Sequence, residues 1–343
     1  MRNRENTGKA LCFVEPLFAQ KHSAFFSEKC AGRQGDFFVF SSADGAGRHG
    51  TVGFNADFYL FDTVTSTLDK AHELSLQKEM NAFATIICKN QTNGRGQLRR
   101  KWESLRNNLY TALVLPETYP FNTEAAAPAF GGLAAYALEK LGFDIALKWP
   151  NDLVQKSENG YEKIGGILLE QRNDCLVAGM GINLFSAPCD ESLREDFFIS
   201  AGKLKHFQNE SNQKRFFAYA DNSLLKSSGE KCADLLQYGE IKDENDNFTA
   251  ILGFCFALVK QIKLCYEERV SSCNPGTWNA LCKRYLAFSG ETVLIKDALG
   301  KDAFCFGDIA GKIIGLGQEG ELLLSSGHGL IRIVGGSITK FKG

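Results

Sequence analysis

The sequence predicts a mixed α/β core followed by a small C-terminal β-barrel. Between residues 57 and 184, short apolar strand patterns alternate with helix patterns, as packed layers of sheet and helix require. From about residue 290 onward the chain reads only as short strands separated by glycine turns, the signature of a small barrel. Its 343 residues, 44% of them hydrophobic, suffice for one large domain with one or two small ones.

Taken in order, GDFFVFSS (35–42) reads as a strand and DGAGRHG (44–50) as a turn. Gly45, Gly47 and Gly50 match GxGxxG, but no helix pattern follows, so the match is read as accidental. DFYLFDTVTST (57–67) alternates like a strand and runs into the helix pattern LDKAHELSLQK, with Ser66 or Thr67 placed to cap it. FATIIC (83–88) and NLYTALVL (108–115) read as buried strands. AAAPAFGGLAAYALEKLG (125–142) reads as a closely packed helix with Pro128 near its start and Gly142 as its C-cap. DIALKW (144–149) is a strand that PND ends as a turn, and IGGILLE (164–170) with CLVAGMGINL (175–184) forms a hairpin. Residues 186–247 carry only short apolar runs and read as an insertion. A helical apolar face spans 248–268, and GETVLIKD, DAFCFGDIAG, KIIGLGQEGELLLSSG and HGLIRIVGGSITK supply the barrel strands.

Composition excludes several classes. Against 39 Lys+Arg stand 40 Asp+Glu, a net charge of −1, which creates no field to draw the protein to nucleic acid or an anionic membrane. The eleven cysteines never pair as CxxC and lie away from the five histidines at zinc-ligand spacing, so no zinc is expected. Unpaired cysteines, an N-terminus MRNRENTGKA without a signal-peptide run, and no stretch read as apolar enough to span a bilayer point to the cytoplasm.

The chemistry concentrates in QTNGRGQLRRKW (91–102), which puts glycines and a block of cations directly after an apolar strand. Gly94 and Gly96 remove side chains and are expected to permit the positive φ angles that let successive N–H groups converge on an anion. With Arg95, Arg99, Arg100 and Lys101, such a loop suits a phosphate or carboxylate. Further along, KWPND (148–152) and KIGGILLE (163–170) place a second lysine before another glycine pair, at the mouth of an apolar strand. Taken singly, each feature also has a plain structural reading: a surface turn, a lysine whose stem covers apolar surface, an Asn-Asp turn after proline.

In this order the segments resemble the biotin protein ligase family, whose loop reads QxxGRGRxGRxW, followed by KWPND and KxxGIL. The match is Gln91, Gly94, Arg95, Gly96, Arg100 and Trp102, then Lys148 to Asp152, then Lys163, Gly166, Ile167 and Leu168. The resemblance implies a class II synthetase-like mixed sheet with an SH3-like barrel. It implies activation of biotin by ATP to biotinyl-adenylate, then transfer to a lysine of a biotin carboxyl carrier protein or domain. Two anions must then meet, and preorganised cations remove the repulsion.

By the same resemblance Lys163 and Arg95 are catalytic. Ser66, Thr67, Gln91, Gly94, Arg95, Gly96, Gln97, Lys163 and Gly166 hold biotin, and Arg95, Arg100, Trp102, Lys148, Asn151, Asp152, Lys163 and Asn183 hold ATP. Magnesium is expected with the nucleotide, its ligands unassigned. The domains are expected at 1–55 (no winged helix recognised), 56–270 with the insertion at 186–247, and 285–343. The sequence leaves a homodimer open. Alternatives are a lipoate protein ligase-like enzyme, or a non-catalytic biotin- or nucleic-acid-binding relative.

Two positions depart from the family pattern. Leu68 stands where the strand-to-helix junction usually has Asn, and Gln97 where the loop commonly has Arg, with Arg99 where it often has Gly. Gln97 keeps a donor but loses a fixed charge, so biotinyl-adenylate is expected to escape faster than from a loop with Arg there. Adenylate release measured for the natural protein and Gln97→Arg should be slower in the variant; equal rates would refute this reading.

Overall fold

Every residue from Phe58 to Phe61 is buried, and the strand pleat explains how one run of apolar side chains serves two cores. In the strand β2 (Asn55–Val64), Phe58 and Leu60 join one apolar cluster while Tyr59 and Phe61 join another, because successive side chains point to opposite faces. The same division holds in β3 (Thr85–Gln91), with Ile87 on the first face and Ile86 and Cys88 on the second. It holds again in β4 (Leu109–Val114), where Leu109 and Leu113 oppose Tyr110 and Ala112. Each such fully buried large side chain contributes roughly 1.5–3 kcal/mol.

This computed structural model describes residues 38–43, 55–77, 79–97, 100–158, 160–189, 199–225, 244–271, 275–301, 306–327 and 329–341. The turn read at 44–50 lies outside them, as do the N-terminus and Arg99. An eight-stranded sheet runs β1-β2-β3-β4-β8-β7-β6-β5. Its remaining strands are β1 (Phe38–Ala43), β5 (Ala146–Lys148), β6 (Asp152–Ser157), β7 (Gly160–Arg172) and β8 (Cys175–Ile182). Among the described strands of this sheet only β2 and β3 pair in parallel, and helix α1 (Thr67–Gln77) makes that crossover. The β7–β8 hairpin turns at Asn173 and Asp174, both at positive φ (48° and 57°), the geometry that suits the right-handed twist of paired strands.

Helix α2 (Ala126–Lys140) lies close to its neighbours because its middle is glycine: a Cβ at Gly131 would stand 2.6 Å from Leu147, and one at Gly132 2.4 Å from Cys282 Sγ. It ends at Gly142 (φ 87°), where the Phe143 N–H bonds back to the Leu138 carbonyl at 3.0 Å. Among the described residues three more α-helices follow, α3 (Glu210–Leu225), α4 (Glu244–Cys265), which runs on into a π-helical turn at Tyr266–Val270, and α5 (Pro275–Tyr285).

Strands β9 (Thr292–Gly300), β10 (Phe306–Leu316), β11 (Leu322–Ser326) and β12 (Gly329–Lys340) close into a barrel in the order β10-β11-β12-β9. It is fastened to the sheet domain by hydrogen bonds from Trp149 Nε1 to the Gly320 carbonyl (2.8 Å) and from Asn279 Nδ2 to the Gly317 carbonyl (2.6 Å).

Several sequence expectations need correction. The region 186–247 contains helix α3, whose apolar residues are too spaced to read as one face, although Phe216 is fully buried. The segment after PND is itself a strand, β6, and β7 starts at Gly160, so Lys163 sits inside a strand and not at its mouth. One helical stretch, Asn247–Val270, is long and apolar enough to cross a membrane by length and composition. Most of it is buried in the fold, and α4 packs against α2, α3, β3 and β4.

The α2–α5 contact gives a stability test. Gly132→Ala should gain about 1 kcal/mol of helix propensity but overpack Cys282, costing about 1–3 kcal/mol. A net fall in the urea unfolding midpoint is expected; an unchanged or higher midpoint would show that the two helices part without cost.

Candidate functional site

The two distant segments meet. Residues of the 91–102 loop, of the β5–β6 turn and of β7 line one cavity of about 510 Å³, together with Ser66 to Leu68, Gly179 to Gly181, Asn183 and residues 336–339 of β12. Of the residues expected to bind ligands, Ser66, Thr67, Gln91, Arg95, Gly96, Gln97, Arg100, Trp102, Lys148, Asn151, Asp152, Lys163, Gly166 and Asn183 all line it, and Gly94 does not.

The loop is a short hairpin. Arg95 and Lys101 bridge as antiparallel partners, the Gly96 N–H bonds to the Arg100 carbonyl (2.8 Å), and the Trp102 N–H to the Gly94 carbonyl (2.9 Å). Contrary to expectation, neither Gly94 nor Gly96 has a positive φ. Gly94 is required for close packing, since a Cβ there would lie 2.6 Å from Ser104 Oγ and 2.8 Å from the Trp102 carbonyl oxygen. At Gly96 the nearest atom would be 3.6 Å away, so that position leaves room beside the main chain for a ligand.

The strand-to-helix junction is held from within. Ser66 caps α1: its Oγ accepts the Asp69 N–H (3.1 Å) and donates to Asp69 Oδ2 (3.0 Å). Gln91 Oε1 accepts from the Thr67 N–H (2.8 Å) and hydroxyl (3.2 Å), while its Nε2 donates to Ser104 (3.2 Å). The amide of Gln91 thereby ties β3, α1 and the loop together. Leu68 covers Gly179, where a Cβ would lie 2.6 Å from the leucine Cγ.

Trp102 forms a wall that only glycines permit. A Cβ at Gly166 or at Gly181 would stand 2.8 Å from its ring atoms. Lys163 Nζ lies 5.4 Å from the indole centroid, a favourable cation–π arrangement. The indole N–H is buried without a hydrogen-bond partner.

On the other side, Asp152 is gripped by Lys163 (2.6 Å) and Lys148 (3.1 Å), with only 14% of its side chain exposed. Burial alone would raise its pKa, but the two ammonium groups outweigh it and hold the carboxyl down at about 2. Asn151 and Asn183 are engaged in the scaffold, Asn151 Nδ2 with the Ile167 carbonyl (2.6 Å) and Asn183 Nδ2 with the Gly202 carbonyl (3.1 Å).

Sequence reasoning missed the acids around Arg95. Arg95 donates to Glu170 through Nη1 (2.7 Å) and Nη2 (3.0 Å), and Nη2 also reaches Asp69 (2.8 Å). The signal was available, since Glu170 closes the same KIGGILLE motif that supplies Lys163. Nearby His72 is buried with both ring nitrogens unpartnered, and burial, followed by the Arg172 charge, lowers its pKa. Among the described residues no three His, Cys, Asp or Glu side chains group to hold a metal. Asp152, Glu170 and Asp69 are each paired with cations. The site therefore does not fit a resident magnesium ion.

Comparison with known proteins places this geometry. A family model described as "Biotin/lipoate A/B protein ligase family" matches residues 60–184. The chain is 31% identical over 140 residues to the bifunctional ligase/repressor BirA of Bacillus subtilis, covering 38% of this chain and 41% of that protein. It is 33% identical over 130 residues to the biotin–[acetyl-CoA-carboxylase] ligase of Paracoccus denitrificans, covering 34% and 51% respectively. It thus spans about half the length of these relatives or less.

The fold is shared with a biotin protein ligase from Aquifex aeolicus solved in complex with biotin and ATP. The TM-score is 0.51 at 22% identity, covering 82% of this chain and 97% of that one. A variant of that ligase in complex with biotin gives 0.52, also at 22% identity, with 83% and 98% covered. Over residues 60–184, the chain is similar to the biotin/lipoate A/B protein ligase family.

Proposed function

We propose that the protein is a biotin protein ligase that activates biotin with ATP and transfers it to a lysine of a biotin carboxyl carrier domain. The observation that carries this reading is the meeting of the Arg95–Trp102 hairpin with Lys148 and Lys163 around one cavity. The names of the two relatives, both ligases and one of them a biotin ligase, support it, and so does the biotin and ATP bound to the Aquifex protein of the same fold.

In the first half-reaction a biotin carboxylate oxygen attacks the α-phosphorus of ATP. The new O–P bond forms as the bond to pyrophosphate breaks, and the electron pair leaves with pyrophosphate. Lys163 lies where it can face both anions: beside the Trp102 wall on one side and, through Asp152, next to Lys148 on the other. Biotin occupies the part of the cavity lined by Ser66, Thr67, Gln91 and Gly166, and the nucleotide lies toward Trp102, Arg100, Lys148 and residues 336–339 of the barrel. Magnesium comes as part of the nucleotide substrate. In the second half-reaction the neutral amine of the carrier lysine attacks the adenylate carbonyl carbon, AMP leaves with the electron pair of the broken anhydride C–O bond, the amine nitrogen gives up its extra proton to solvent, and the AMP phosphate charge is met by Lys163. We place the enzyme in the cytoplasm, on the six described cysteines that are all free thiols.

The test is exchange of labelled pyrophosphate into ATP. Exchange should require biotin, should fail with lipoate, and should fall by about 10²–10³-fold in Lys163→Ala, the loss typical of removing one preorganised electrostatic donor. Exchange with lipoate instead would favour the lipoate ligase alternative, and none with either acid would refute the reading.

Asp152 gives a pH prediction. Its folded pKa, near 2, lies below the unfolded carboxylate value of about 3.9. Its contribution to stability is therefore full above about pH 4 and is lost as pH falls toward 2. Chemical unfolding followed between about pH 5 and pH 2 should show a steeper loss of stability for the natural protein than for Asp152→Asn. Parallel profiles would contradict the assignment.

A further inference from the structure

Four charged side chains from three elements form a closed network at the base of the hairpin. Arg95 makes a two-pronged bond to Glu170 on β7 and a third bond to Asp69 on α1. Arg172, two residues beyond Glu170, bonds the same two carboxylates at 2.8 Å and 3.3 Å. Asp69 is itself held by the Ser66 cap. Three of the five N–H donors of Arg95 are thus committed to protein carboxylates, and its Nε–H is buried and unpartnered.

This arrangement differs from a cation waiting for an anion. The hairpin's own backbone bonds, Gly96 to Arg100 and Trp102 to Gly94, hold its two arms to each other and not to the sheet. Arg95 ties it to α1 and β7, beside the Gln91–Ser104 bond at its base and the Trp102 ring packed on Gly166 and Gly181. A planar guanidinium forked onto a carboxylate fixes direction as well as distance. Glu170 is 20% exposed and Arg95 26%, so the pair is only partly screened by water.

We propose that Glu170 is a positioning residue: through Arg95 it latches the 94–102 hairpin over the cavity before any ligand arrives, with Asp69 and Arg172 completing the latch. A hairpin already in place spares the ligand the entropy of ordering it. This deepens the ligase reading and rests on it for its consequence for binding, but the latch itself can be tested without turnover.

The experiment is limited trypsin digestion of the full-length, ligand-free protein, since the loop offers Arg95, Arg99, Arg100 and Lys101 as cleavage sites. Fragments are assigned by mass and loop cleavage is compared with cleavage elsewhere. Glu170→Ala should raise the loop rate by about tenfold, as losing a charge-assisted pair implies, with other sites unchanged. The isosteric Glu170→Gln should give a smaller rise. In biotin-dependent exchange, Glu170→Ala should raise the KM for biotin by about tenfold and leave kcat within about twofold, a split that general destabilisation does not produce.

Loop cleavage at the natural rate in both variants would overturn the proposal. A rise spread evenly over all sites in both variants would also overturn it, because it would mark Glu170 as a global stability residue. If the natural protein shows no exchange with biotin, the ligase reading fails, and loop cleavage still decides the latch.

Discussion

The constraint on which the site depends is the need to hold several cations near one small cavity without letting them push each other away. Asp152 meets it for the two lysines, accepting Lys163 on one oxygen and Lys148 on the other. Removing one partner of such a buried arrangement costs about 3–5 kcal/mol, so these three residues stand or fall together. Their placement follows from the sheet. Asp152 opens β6 directly after the turn from Lys148 at the end of β5, and the register pairs Val154 with Lys163 of β7. Glu170 and Asp69 do the same for Arg95 and Arg172. Arg95, Lys148 and Lys163 therefore come with their own counter-charges, drawn from α1, β6 and β7.

Close packing is the second requirement, and glycine meets it. Gly166 and Gly181 sit opposite each other on β7 and β8, and both face the Trp102 ring. Any side chain at either would expel the indole and with it the wall beside Lys163. Gly165 serves the sheet instead, since a Cβ there would meet the Gly181 carbonyl oxygen at 2.7 Å. Adjacent glycines thus answer to different neighbours, one in the ligand layer and one in the strand ladder.

Much of this was legible in the sequence because it is local. An alternating run marked β2, continuous apolar runs marked β3, β4 and the β7–β8 hairpin, and the Ser66 cap, the Gly142 stop and the barrel's glycine turns read directly. The three motif segments picked out residues that do share one cavity. What stayed hidden depends on partners far apart in the chain. Strand β6 reads as a continuation of a turn because its polar Gln155 is reconciled only by bonding Glu162 of β7 and the Lys203 carbonyl across the sheet. Helix α3 lacks a clear face, and Phe216 finds its place only against Phe143, Phe207 and Phe254. The left-handed glycines expected at positions 94 and 96 were misjudged because the closeness of Ser104 to Gly94 cannot be seen from spacing.

Strand β12 carries a final implication. Its first half, from Leu330 to Ile333, pairs with β11 inside the barrel, while Gly336 to Thr339, still paired to β9 over much of their length, form part of the cavity wall. The seating of the barrel on the sheet domain and the filling of the cavity are therefore coupled equilibria. Whatever occupant contacts that strand tightens the barrel's grip by the factor by which the seated barrel improves its own affinity, since such coupling is reciprocal. The barrel, whose Ile295, Leu322 and Ile338 share one apolar cluster with the sheet domain, thus serves at once as a packed neighbour of that domain and as a wall of the cavity.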